Sequence, residues 1–285
     1  MTTEQPDRYS SEDDPDWADL PEAATGPTRR FFEQLQRDIL FVSSDVRFAR
    51  DFRRIVEKVA KAVLPDKEPR SAFPTLFDRA DTLEREAEFN NHVRYEVVAT
   101  RFADNYLVFV SDAIGEIFKA HPSTLRSAET VRIEDVLQHE SMEAFASWLA
   151  EERVNRLSFK GLSEIERFVQ KRFSFDLAVD LQNRRELAQA IAERNILVHR
   201  RGIVDTQFLA MLTEAGVDVS GYQVGTRIPR VSNYSSLPAV TASVRHVEEV
   251  LRKKYHLPVE QFMPALPFSV APGAAAVDPP LDGGS

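Results

Sequence analysis

Between residues 92 and 119, apolar side chains return at three- and four-residue intervals, and nothing breaks the pattern before Pro122. Val93, Val97, Phe102, Tyr106, Val110, Ile114 and Ile117 fall near one face of the helix that this spacing predicts. A helix of that length suits a bundle better than a sheet. The same period runs through Phe48, Phe52, Ile55, Val59 and Val63 until Pro65 stops it. Further helices are predicted at about 75–88, 141–157, 161–173, 180–199 and 235–256, and Asp205 can cap a short one running to about 215. Residues 131–138 (VRIEDVLQ) read as a short extended piece or a turn. GVDVSGYQVGTRIPRVSN (216–233) reads as a loop with room for a small hairpin. No repeat is visible, and strands do not alternate with helices, which argues against a parallel-sheet nucleotide fold. The predicted class is all-α, a multi-helix bundle.

The two ends differ from this body. Residues 1–25 carry eight acidic side chains and one basic, a net of −7 out of −9 for the whole chain, so the remainder is close to neutral. That stretch, and the low-complexity run 258–285 ending in PGAAAVDPPLDGGS, are read as disordered tails. Between them lie an N-terminal helical segment with a Pro-containing linker (26–74) and a larger helical domain (75–257). With 43% hydrophobic residues and 19 Phe, the body has ample material for a core. No apolar run reaches the roughly 18 residues of a membrane span. The acidic N-terminus lacks the apolar segment of a signal peptide. The absence of cysteine excludes disulfides and thiolate chemistry. The expectation is a soluble cytoplasmic protein without a membrane partner.

Most familiar chemical motifs are missing. The glycines at 216, 221 and 225 are not followed by Lys-Ser or Lys-Thr, and HESME (139–143) has no second histidine, so neither a phosphate-binding loop nor a zinc helix is present. His92, His121, His139, His246 and His256 read as surface or capping residues, and no cofactor or metal site is predicted. One segment stands apart. ERNILVHRRGIVDTQF (193–208) crowds Arg194, Asn195, His199, Arg200 and Arg201 into the end of one helix. Asn195 and His199 share a face, but Arg194 and His199 are about 140° apart around a regular helix. A common site therefore needs either a distorted helix end or two copies of the chain meeting across a two-fold axis.

Such a group of side chains suits phosphodiester transfer in RNA. The substrate brings its own nucleophile, the 2′-hydroxyl. The protein need only move two protons and stabilise the crowded phosphorane. Histidine can act as base or acid near neutral pH. The guanidinium fork of Arg194 matches phosphate geometry, and Asn195 can orient the imidazole or donate to a phosphate oxygen. Arg200 and Arg201 can hold the RNA backbone, or can simply balance the dipole of the helix end.

Residues 193–209 (ERNILVHRRGIVDTQFL) resemble the signature of HEPN-domain proteins, in which an arginine followed by a polar residue precedes a histidine by four to six positions. EIERFVQKRFSFDL (164–177) and YQVGTRIP (222–229) resemble a group of bacterial HEPN-like proteins, so that the resemblance covers roughly residues 90–256. It implies an all-helical bundle of HEPN type that forms a homodimer with a composite site. It also implies metal-independent endoribonuclease activity toward RNA, as in toxins and antiviral or stress-response effectors, with an antitoxin or regulatory protein as a further partner. Arg200 and Arg201 depart from the small polar residue that follows the histidine in such sequences. The other function the residues allow is a non-catalytic dimerisation or partner-binding module, with Arg194 in an ion pair and His199 closing its helix.

Overall fold

The computed structural model describes residues 21–125, 132–158, 161–228 and 236–261. Prolines set its frame. Leu64, Phe73 and His121 each precede a proline, and their φ angles of −134°, −135° and −131° take them out of the helical region. The following ring crowds a helical conformation at the residue before it. These positions end helices α1 (Gly26–Val63), α2 (Pro69–Ala72) and α4 (Asn91–Ala120). Pro27, Pro69 and Pro74 stand at the starts of α1, α2 and α3 (Pro74–Phe89), where a missing N–H breaks no helical bond. The chain continues through α5 (Ile133–Leu137), α6 (Met142–Ser158), α7 (Leu162–Phe173), α8 (Leu181–Arg200), α9 (Thr206–Ala215) and α10 (Ser236–Lys253). The described part of the segment at 131–138, from 132 onward, is thus built on one helical turn and is not extended.

Helix α4 is the centre of a multi-helix bundle and packs against α1, α6, α8 and α10. Its predicted stripe is the core from Phe102 onward: Phe102, Tyr106, Val110, Ile114 and Ile117 are all buried. They meet Phe31 and Leu35 of α1, Ile165 of α7, Leu187 and Ile191 of α8, and Val244 and Val247 of α10. At the centre the Tyr106 hydroxyl lies 2.8 Å from Ser243 Oγ, which donates to the Leu177 carbonyl at 2.7 Å, so the buried hydroxyls are satisfied. The first two members of the stripe depart from the pattern, because Val93 and Val97 are exposed.

Helix α1 serves two purposes. Its first half supplies Phe31, Phe32, Leu35 and Ile39 to the main core. Its second half runs beside α3 and shares with it a small separate cluster of Val56, Ala60 and Phe77. Arg53 ties the two helices through Asp81 and Glu84, and Arg70 reaches Asp81 at 2.5 Å. The sequence stripe Phe48, Ile55, Val59, Val63 is not what this packing buries. Those four are exposed, and the neighbouring face of Ala49, Val56 and Ala60 is covered instead.

Two short strands close the molecule. Ala23–Thr25 (β1) pairs antiparallel with Val259–Gln261 (β2), Ala24 lying opposite Glu260. The segments read as disordered tails therefore enter the fold at their inner edges, while 1–20 and 262–285 lie outside the described residues. No helix among the described residues is long and apolar enough to cross a membrane.

Candidate active site at the end of helix α8

Helix α8 begins where the Asp180 carboxylate accepts a hydrogen bond from the Asn183 N–H at 2.8 Å. It runs unbroken through His199 to Arg200. Arg201 (φ 55°) and Gly202 (φ 75°) then take left-handed conformations, and the Gly202 N–H returns to the Ile196 carbonyl at 2.8 Å. This closes the helix with a doubled-back turn. A glycine suits the second of these positions. The first is filled by Arg201, whose Cβ costs about 1–2 kcal/mol in that conformation.

The turn is fastened from the far side. Val204 N–H donates to the Thr226 carbonyl and Gly225 N–H to the Val204 carbonyl, both at 2.9 Å, and Ile228 N–H donates to the Gly202 carbonyl at 2.8 Å. In place of a hairpin inside 216–233, residues 225–228 pair with 202–204, Ile203 being bridged to Arg227; residues 229–233 lie outside the described ones. Beneath it, Ala192, Ile196, Val204, Phe208, Leu212 and Ile228 form a second, smaller core. Asp205 caps α9 as expected, accepting from the Phe208 N–H at 2.8 Å. The segments GIVD and GTRI, distant in sequence, therefore form one brace for the end of α8.

The five singled-out residues divide into two groups. Arg194 is 18% exposed in its side chain, and its Nε donates to Asp104 Oδ1 of α4 at 2.6 Å. Its Nη1 donates to Asn195 Oδ1 at 3.1 Å, and Asn195 is itself buried. His199, Arg200 and Arg201 are exposed, with Arg200 lying 3.4 Å from Asp205. Because α8 is regular across this span, Arg194 and His199 stand about 7.5 Å apart along the axis and about 140° apart around it. A single chain joins Arg194 to Asn195 and directs Arg194 toward α4. It does not aim Arg194 and His199 at one point.

Three partners of the site went unnoticed in the sequence. Asp104 is one, and Arg227 is another, held by Glu96 of α4 at 2.5 Å. Asp104 also stands in a groove of about 470 Å³ between α1 and α4, whose wall includes Arg30, Arg101 and Asp112. Two arginines of that wall have counter-charges, Arg30 with Asp112 at 2.7 Å and Arg101 with Asp38 at 2.9 Å. Among the described residues, no group of three or more His, Asp or Glu side chains is placed to hold a metal ion.

The third is Glu193, a carboxylate buried to 6% exposure next to Arg194. Gln189 Nε2 donates to it at 2.7 Å and the Tyr222 hydroxyl lies beside it. Burial raises its pKa above the ordinary carboxylate value, and these two hydrogen bonds only partly offset the rise. A carboxyl group with a raised folded-state pKa favours folding most below its unfolded pKa, and that contribution is lost as pH rises through the folded pKa. Glu193→Gln should therefore be more stable than the wild type at pH 7, and the difference should shrink as pH falls into the ordinary carboxylate range. Chemical denaturation at the two pH values checks this. An equal difference at both would mean that ionisation of Glu193 is not the cause.

Compared with models of known protein families, with curated proteins and with solved structures, the chain matches none.

Proposed function

We propose that the protein is a metal-independent endoribonuclease of HEPN type that cleaves RNA by internal attack of the 2′-hydroxyl, at a site completed by a second copy of the chain. The observation that carries the proposal is the end of α8. His199, Arg200 and Arg201 are exposed together there, on a turn braced by 202–204 and 225–228. His199 serves as general acid or base, Arg194 and Asn195 contact the phosphate or orient the imidazole, and Arg200 and Arg201 hold the RNA backbone. The regular helix favours the two-copy form, because rotation about a two-fold axis can bring the His199 of one copy toward the Arg194 of the other. The biological setting in keeping with such chemistry is that of a toxin or a defence effector restrained by a protein partner.

One observation favours a second reading, that of a non-catalytic dimerisation or partner-binding module. Arg194 already has a carboxylate partner in Asp104, and a cation in the last turn of α8 is favoured by the helix dipole alone. Incubation of the full chain with end-labelled RNA in EDTA separates the two. The nuclease leaves 2′,3′-cyclic phosphate ends. Intact RNA across unrelated sequences and in the presence of co-purifying proteins would leave the module.

A further inference from the structure

The exposed stripe on the second half of α1 is the largest feature that the site on α8 leaves unexplained. Phe48, Ile55, Val59 and Val63 are 60%, 59%, 45% and 59% exposed, although their spacing is that of a packing seam. Phe52 stands at the edge of the seam, half-buried against the Val56–Ala60–Phe77 cluster, with its ring 6.2 Å from that of Phe48. From Phe48 to Val63 the stripe is about 22 Å long. Among the described residues, the arm that carries it buries a small cluster of Val56, Ala60 and Phe77, with Phe52 and Phe73 packed against it. A contiguous apolar surface of this kind marks an interaction site.

We infer that this face is a self-association surface, on which α1 of a second copy packs antiparallel across a two-fold axis. The register follows from the residues. With Phe52 opposite Ile55 of the other copy, the two-fold axis places Phe48 opposite Val59, so every aromatic ring meets an aliphatic side chain. Charge agrees with the same register. Asp51 and Lys58 are exposed along one flank of the stripe, and neither is in an ion pair among the described residues. In an antiparallel helix pair, side chains on this flank face their own kind from the partner, which brings Asp51 of one copy within reach of Lys58 of the other, twice. A parallel pair would instead set Asp51 across from Val56, which is buried and uncharged. The surface is separate from the α8 site and does not depend on the nuclease proposal.

Sedimentation equilibrium of the full chain tests it, with circular dichroism to check that each variant keeps its helix content. The wild type should associate through this face, to a dimer by this contact alone and to a larger assembly where the α8 contact forms as well. Ile55→Asp should weaken the association through α1 by about tenfold or more, because it places a charge in an apolar seam. Asp51→Lys and Lys58→Asp should each weaken it, and the double variant D51K/K58D should restore it, since the two copies then exchange charges and remain complementary. A wild type that is monomeric at every concentration would overturn the inference. So would an assembly whose size and affinity Ile55→Asp leaves unchanged, which would place the contact elsewhere, as at α8, or a double variant no better than the single ones.

Discussion

Glu248→Ala should cost the fold about 1–3 kcal/mol for each buried donor that it leaves unpaired. Glu248 is on α10, but what it organises is the start of α1. Its Oε1 accepts from the Thr25 N–H at 2.9 Å, and its Oε2 accepts from the Thr25 and Thr28 hydroxyls at 2.5 and 2.7 Å. Thr25 and Thr28 are 0% and 1% exposed, so their donors are cut off from bulk water and depend on the carboxylate. Thr25 is also the N-cap residue of α1 and makes no side-chain cap of its own. The carboxylate therefore supplies, from another helix, the negative end that a helix N-terminus favours. The damage should extend to the sheet, because Thr25 pairs with Val259. Glu249→Ala is the control: it pairs with Lys253 at 2.7 Å, with both side chains more than 60% exposed. That change should cost under about 1 kcal/mol. Urea denaturation of both variants decides the matter. Equal costs would mean that Glu248 does not hold the termini together.

Glu248 illustrates which parts of this molecule can be read from its sequence. Helix ends are legible because a proline acts on its immediate neighbour, as Leu64 and His121 show. The core of α4 is legible from Phe102 onward because only one of its faces is apolar. In α1 two apolar stripes compete, Phe48–Phe52–Ile55–Val59 and Ala49–Val56–Ala60, and periodicity cannot rank them. Phe77, on another helix, makes the choice. The three-residue strands are too short to show any period, and the carboxylate that fixes them is 223 residues from Thr25. The site divides in the same way. The crowding of Arg194, Asn195, His199, Arg200 and Arg201 is local and visible, as is the Asp205 cap. Asp104 is 90 residues from Arg194 in the chain. Its one local signal is a charge between Ala103 and Asn105, both buried, and a half-buried arginine is bound to need such a partner somewhere.

That ion pair makes it possible to separate catalysis from architecture. His199→Ala should lower RNA cleavage by about 10²–10⁴-fold, as the loss of a general acid or base does. Since His199 is exposed in the last turn of α8, its removal should cost at most about 1 kcal/mol of stability. Arg194→Ala confounds two losses, because it removes a phosphate contact and also strands Asp104. Asp104→Ala resolves them. If Arg194 acts on RNA, removing its carboxylate partner releases the guanidinium for phosphate, so Asp104→Ala should cleave at least as well as wild type while Arg194→Ala does not. RNA binding should also become more salt-sensitive in Asp104→Ala and less so in Arg194→Ala, since each phosphate contact releases counterions. If Arg194 only anchors α8 to α4, the two variants should lose stability together and their RNA affinity should stay flat with salt. In that event Arg194 would be a structural residue. His199 would then need a phosphate-binding partner elsewhere, and Arg200 and Arg201 are the exposed cations nearest to it in the chain.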